Sequence, residues 1–243
     1  MNKTSKIYVA GHTGLICAGV IKKLKQEGFG NILTRSHAEL DLTDAASVAE
    51  LFNSERPEFV FLCAGKVGGI VENRTYPADF IRINLAIQQN VFEAAHKAQL
   101  KKLIFFGSSC MYPRECAQPM AEAALFSGIP EPTSMAYAVS KMAGVQMCLS
   151  YNQQYGEKRF VPVIPRREFI HTDDIAAACM RLLEADVSEL ELPVNLGSGA
   201  DISIRELATV IAQIVGYSGK TEWDITKPDG APRKLLNSSR INK

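Results

Sequence analysis

Four short runs, Ile7–Ala10, Phe59–Cys63, Lys102–Phe106 and Phe160–Ile164, are almost wholly apolar, with no alternation of polar and apolar positions. A strand with one face in water alternates; a strand covered on both faces does not. Stretches of helical periodicity separate the runs. Strands alternating with helices predict a doubly wound parallel sheet, a Rossmann-like α/β fold. In such sheets ligands bind outside the carboxyl ends of the strands, so chemistry is sought where each run ends.

A chain of 243 residues buries one sizeable core, or a large domain with a small annex. Its net charge of +1 and the lack of a basic stripe with interleaved aromatics argue against a nucleic-acid partner. No apolar stretch reaches membrane-spanning length, and Met1–Lys6 leads straight into a strand without a signal-peptide core. A cytoplasmic location is therefore expected. The six cysteines (Cys17, Cys63, Cys110, Cys116, Cys148, Cys179) show neither CxxC pairing nor metal-ligand spacing. Reduced thiols and no metal site are expected. Five of them read as core or surface filler, and Cys110 is set apart.

The first run opens into Gly11-His12-Thr13-Gly14-Leu15-Ile16-Cys17 and a helix over Ile16–Glu27. Strand, glycine turn and helix form the context of a dinucleotide site, with the pyrophosphate on the helix N-terminus. A plain tight turn is the competing reading, and loop filler is the competing reading for His12. Cys17 stands at the third glycine position. The next strand-like run, Asn31–Thr34, ends at Arg35, where NAD-type sites carry an acid. An arginine suits the 2′-phosphate of NADP, and a solvated surface charge is the alternative. A helix through Asn53 follows, with Thr43 as N-cap and Asp44 in its first turn. Ala64-Gly-Lys-Val-Gly-Gly69 is a glycine-rich loop at the ligand edge. The long helix Ala78–Ala98 carries Asn84 and Asn90, each either a surface residue or a buried polar tie.

The fourth run ends in Phe105-Phe-Gly-Ser-Ser-Cys-Met-Tyr-Pro113, which brings Ser108 and Cys110 to that edge. Tyr137 and Lys141, four apart in a helix reaching Tyr155, share one helix face. Gly-x-x-Gly, a strand-end serine and Tyr-x-x-x-Lys together resemble the extended short-chain dehydrogenase/reductases. Lys66-Val-Gly-Gly-Ile70, Tyr76-Pro-Ala-Asp-Phe80, Gly107-Ser-Ser-Cys110, Lys227-Pro-Asp-Gly230 and Pro232-Arg-Lys234 narrow the resemblance to the GDP-L-fucose synthases. The resemblance implies NADP held by the Gly11–Cys17 turn with Arg35, Ala64, Phe106, Gly107, Ser108 and Lys141. It implies a GDP-sugar substrate touched by Arg167 and Asp229, and a homodimer. Arg167 and Asp229 as surface charges remain open.

One junction breaks the pattern. Pro165-Arg-Arg167 joins the fifth strand at once to another extended run, Glu168–His171, yet parallel neighbours need a crossover of about a dozen residues. Members of the resembled family carry several tens of residues there, with much of the sugar-nucleotide site and a catalytic histidine. They also continue past Lys243 into a further helix. The expected division is a cofactor domain over residues 1–165, with a segment missing near 164–166, and a partial substrate domain over 166–243. In that second part a helix is expected over Asp174–Ala185, capped by Thr172 or Asp173, then strands over Pro193–Leu196 and Thr221–Ile225. A capping box at Ser203–Glu206 opens a helix that stops at Gly216.

By this resemblance, Cys110 and a histidine exchange the protons on C3 and C5 of a 4-keto sugar. Both positions are acidified by the ketone. His171 lies in a different motif and is not that histidine. Tyr137 then protonates the C4 oxygen as hydride arrives, Lys141 lowers its pKa and bonds the cofactor ribose, and Ser108 orients the ketone. A phenol must fall about 3 units from ~10 to act near neutrality, roughly 4 kcal/mol. A 4,6-dehydratase would place an Asp-Glu pair where Cys110 and Met111 stand. The alternatives kept are a single-function 4-epimerase or 4-reductase and a non-catalytic NADP-binding protein.

Overall fold

The computed structural model describes residues 1–156, 158–165, 170–186, 193–224, 226, 230 and 233–241. Its centre is a six-stranded, wholly parallel sheet in the order β2-β1-β3-β4-β5-β6. The strands are β1 (Ile7–Ala10), β2 (Ile32–Leu33), β3 (Phe59–Leu62), β4 (Lys102–Phe106), β5 (Phe160–Pro165) and β6 (Val194–Leu196). Registry runs Ile7 to Phe59, Phe59 to Lys102, Leu103 to Phe160 and Val163 to Val194.

The apolar runs explain the layering. Tyr8, Ala10, Val60, Leu62, Leu103 and Phe105 point into one buried layer. Ile7, Val9, Phe59, Phe61, Ile104 and Phe106 point into the other. Successive side chains alternate in direction along a strand, so a run apolar at every position must bury both faces. Helices α2 (Ala45–Glu55), α4 (Pro77–Lys97) and α5 (Met135–Tyr155) cover the first face; α1 (Leu15–Gln26) and α6 (Thr172–Glu184) cover the second. The doubly wound reading holds.

The difficulty at Pro165 resolves in α6. Ile170 and His171, the first described residues after β5, are not strand. They lead into α6, which packs on α1 and returns the chain to β6, parallel to β5. A strand–helix–strand unit therefore closes across the junction. Arg166–Phe169, and with them Arg167, lie outside the described residues, as does Asp229.

Several local expectations are corrected. Asp44, not Thr43, caps α2: its carboxylate accepts the Ala46 N–H at 3.1 Å, while Thr43 is turned back onto Asp41. His171, not Thr172 or Asp173, caps α6, its Nδ1 accepting the Asp173 N–H at 3.2 Å. Ile170 and His171 are not strand. The glycine-rich loop runs into a short helix, α3 (Ile70–Thr75), that sequence periodicity missed at six residues. Of the strand expected over Thr221–Ile225, Thr221–Asp224 are exposed and not strand, and Ile225 lies outside the described residues. Cys17 and Cys63 are joined as a disulfide rather than held as two thiols. The turn at Gly11 sets the start of α1 over the end of β3, bringing their Cα atoms within 6.5 Å, inside the range a disulfide spans. The capping box at Ser203 and Glu206 and the left-handed stop at Gly216 are present on α7 (Ile204–Val215).

Candidate active site

Two pockets open along the carboxyl edge of the sheet, and the β3–α3 loop lines both. The larger, about 570 Å³, is bounded by the Gly11–Gly14 turn, Arg35 and the loop from Cys63 to Val67. The smaller, about 230 Å³, is lined by Gly68, Gly69, Asn73, Cys110, Tyr137 and Lys234 among others.

The turn is built for close approach. Gly11 has φ +87°, and a Cβ there would lie 2.7 Å from the backbone nitrogen of Ala64. Any other residue is strained and also collides with β3's exit. Gly14 caps α1 without a side chain, and no acid occupies the helix's first turn, so the N-terminal N–H groups face the cleft with their positive end undiminished. Arg35 lines the cleft, but its guanidinium is already engaged: Nη2 donates to Glu55 Oε1 at 2.8 Å and Nη1 to the Thr34 carbonyl at 2.9 Å. Glu55 is shared with Lys6 at 3.0 Å, and the Lys6 hydrogen bond chiefly holds its carboxyl below the usual range. At the inner end, Asn84 donates to the carbonyls of Lys66 and Phe80, which fixes the loop, and its buried Oδ1 has no hydrogen-bond partner among the described residues. A Cβ on Gly65 would fall 2.5 Å from that oxygen and 3.6 Å from Lys141 Nζ. An open helix start, an arginine at the second strand's exit and an orphaned acceptor beside a lysine fit a dinucleotide with phosphates and ribose hydroxyls. Asn90 is also a tie, donating to the Leu42 carbonyl at 3.0 Å.

Of the residues expected at the cofactor, Gly11, His12, Thr13, Gly14, Arg35 and Ala64 line this cleft. Leu15 is exposed at the helix start, Ile16 packs against the second core layer, and Cys17 is buried in its disulfide. Phe106 and Gly107 are buried at the end of β4; Phe106 offers its carbonyl, which accepts from Lys141 Nζ at 3.0 Å. Lys141 is buried throughout, and burial pulls its pKa down to about 8.

The smaller pocket brings together Cys110 and Tyr137, whereas Ser108 and Lys141 are in the lining of neither pocket. Ser108 caps a single 3₁₀ turn (Ser109–Met111), its Oγ accepting the Cys110 N–H at 3.2 Å, which leaves the hydroxyl hydrogen to donate. Cys110, Tyr137, Phe80 and Ala138 share one apolar cluster, with the Tyr137 ring edge-on to Phe80. Sequence reading did not find Asn73, Glu131 or Thr133 in this pocket, nor assign Lys234 a role. Lys234 sits 124 residues from Cys110, yet its Nζ lies 3.4 Å from the sulfur. No local pattern signals that contact; only the tail's path creates it.

Comparison with known proteins agrees with this geometry. The model of the NAD dependent epimerase/dehydratase family matches residues 7–165. The chain is 42% identical to GDP-L-fucose synthase 1 of Arabidopsis thaliana over 283 residues, covering 99% of this chain and 87% of that one. It is 38% identical to the GDP-L-fucose synthase of Escherichia coli (strain K12), covering 98% and 90%. The chain belongs to the GDP-L-fucose synthase family. Among solved structures it is similar to a GDP-mannoheptose C4 reductase from Campylobacter jejuni with NADP bound, at TM-score 0.93 and 31% identity, covering 100% and 92%. Family proteins use a nicotinamide cofactor, and the cleft at Gly11–Gly14 is where this chain would hold it. The alignment with the Arabidopsis synthase is longer than this chain, so at least 40 of its positions have no residue here.

Proposed function

We propose that the chain is an NADPH-dependent epimerase-reductase that converts GDP-4-keto-6-deoxymannose to GDP-L-fucose. The observation that carries this reading is one pocket holding both Cys110 and Tyr137, beside the cofactor cleft and sharing a loop with it. A thiol serves proton exchange at C3 and C5; a phenol serves reduction at C4. When bound, the reduced nicotinamide supplies the hydride. Tyr137 gives its proton to the C4 oxygen as the charge develops there, and Ser108 donates to that oxygen and orients it. Lys141, still charged below about pH 8, stabilises the phenolate left behind. Arg35 is assigned to the 2′-phosphate of NADP, and Arg167 and Asp229 to the sugar nucleotide.

The reading keeps residues 1–165 as the cofactor part and places the positions lacking relative to the synthases at the Pro165 junction. Residues 166–243 then form the remnant of the substrate part. A homodimer in the cytoplasm goes with it; no helix among the described residues is long and apolar enough to cross a membrane. A 4-reductase without epimerisation is the second reading, because none of the four histidines lines the pocket of Cys110. Turnover in heavy water separates the two. Deuterium at C3 and C5 of the product supports the epimerase-reductase; product reduced at C4 but unlabelled at C3 and C5 removes it.

A further inference from the structure

Lys234 reaches Cys110 through a tail that is fastened on both sides. The Met120 N–H donates to the Leu235 carbonyl at 2.6 Å and the Asn237 N–H to the Met120 carbonyl at 2.9 Å. The Leu235 N–H donates to Gln118 Oε1 at 2.6 Å, and Leu236 is buried in the core. Behind them Asn195, fully buried on β6, donates to the carbonyls of Met120 and Asn237 and accepts from Tyr112 Oη. The ammonium is thus delivered to the sulfur by a built connection from the far end of the chain.

We propose that Lys234 is a positioning residue that holds Cys110 as a thiolate and so makes it the base of the epimerisation. The other charged and titratable groups on this pocket, among the described residues, are Glu131 and Tyr137. Glu131 is met by Arg114 at 3.5 Å, and on the neighbouring loop Glu72 is met by Lys66 at 3.2 Å. Among the described residues Glu131 and Glu72 each have a cation of their own, and Lys234 is a cation at the sulfur. A positive charge at contact distance lowers a thiol's pKa from about 8.5 into a range of roughly 3.5–7.5.

In the step itself, the Cys110 thiolate takes the proton beside the ketone. An S–H bond forms, the C–H bond breaks, and its electron pair moves into the enolate with the charge on the C4 oxygen. The carbon regains a proton from water on the opposite face, and the thiol proton passes to water. Lys234 keeps its protons throughout. The ion pair stands on the contact alone, whereas its use as a base rests on the epimerase reading.

The test is the pH profile of alkylation of Cys110 by iodoacetamide in the intact protein, followed by peptide mass mapping so that the other thiols do not contribute. The expected midpoint lies at least one unit below about 8.5. Lys234→Met should raise it by about one unit or more, and Lys234→Arg should keep it low. A wild-type midpoint at the free-thiol value overturns the ion pair, as does a profile that Lys234→Met leaves unmoved with the circular dichroism unchanged. Where the ion pair stands, loss of the C3 and C5 deuterium label at pH values above the thiol midpoint overturns its use as a base.

Discussion

Lys141 shows how much one buried charge is asked to do. Its ammonium is held among apolar side chains, over the Phe105 ring at 5.0 Å, with the Phe106 carbonyl as acceptor. A folded-state pKa near 8 against 10.5 unfolded means the charged form is disfavoured by folding, at a cost on the order of 3 kcal/mol. The sign follows: the penalty is full below pH 8 and fades as pH rises from about 8 to 10.5, where the folded lysine is already neutral. Lys141→Met should therefore be at least as stable as wild type at pH 7, with the difference shrinking above pH 8 in urea unfolding, while reduction at C4 falls by more than 100-fold. Arg35 raises a different question, because Glu55 already takes one face of its guanidinium. If the arginine reads the 2′-phosphate, Arg35→Gln should raise the KM for NADPH roughly 10- to 100-fold, the worth of a charge-assisted bond, and leave that for NADH nearly unchanged. Equal shifts for both cofactors would assign the residue to the Glu55 and Lys6 cluster alone.

At the scale of elements, α7 is the anomaly. Its apolar residues lie on one stripe, as an amphipathic helix requires, yet none of its side chains is buried; Ile214 and Val215 are 79% and 68% exposed. Substituting Ile214→Lys should then move unfolding free energy by no more than about 0.5 kcal/mol. The same change should weaken binding of a hydrophobic dye to the folded protein, measured by its fluorescence. Asn195 is the opposite case, a single polar side chain that joins β6, the loop after β4 and the tail. Asn195→Ala leaves buried partners unsatisfied and should cost about 2–4 kcal/mol in urea unfolding. It should also raise the Cys110 alkylation midpoint, since the tail that carries Lys234 is tied to it.

For the whole molecule, the closure of β5, α6 and β6 is what lets a chain lacking at least 40 alignment positions of its relative still complete a six-stranded sheet. Peptide mapping of the purified protein should yield a fragment in which Ile164 and Pro165 run directly into Arg166, and a fragment with further residues between them would show that the junction is not covalent. Thiol titration in denaturant without reductant should count four thiols, and six after reduction.

The apolar runs alone determined the sheet, its two covered faces and the strand ends where chemistry collects, because burial on both sides leaves no alternative to a continuous apolar strand. The positions of Ser108 and Cys110 after β4 and of Tyr137 and Lys141 on α5 were likewise legible, since each lies in a short motif whose spacing fixes a turn or a helix face. Capping was legible only where two residues reinforce each other, as at Ser203 and Glu206; at α2 and α6 neighbouring polar residues compete for the same N–H groups and the register decides. The pairing of Cys17 with Cys63, the engagement of Arg35 by Glu55 and the approach of Lys234 to Cys110 belong to the tertiary structure. Each joins segments at least 20 residues apart, through contacts set by where β1, β3 and the tail are packed rather than by any local pattern.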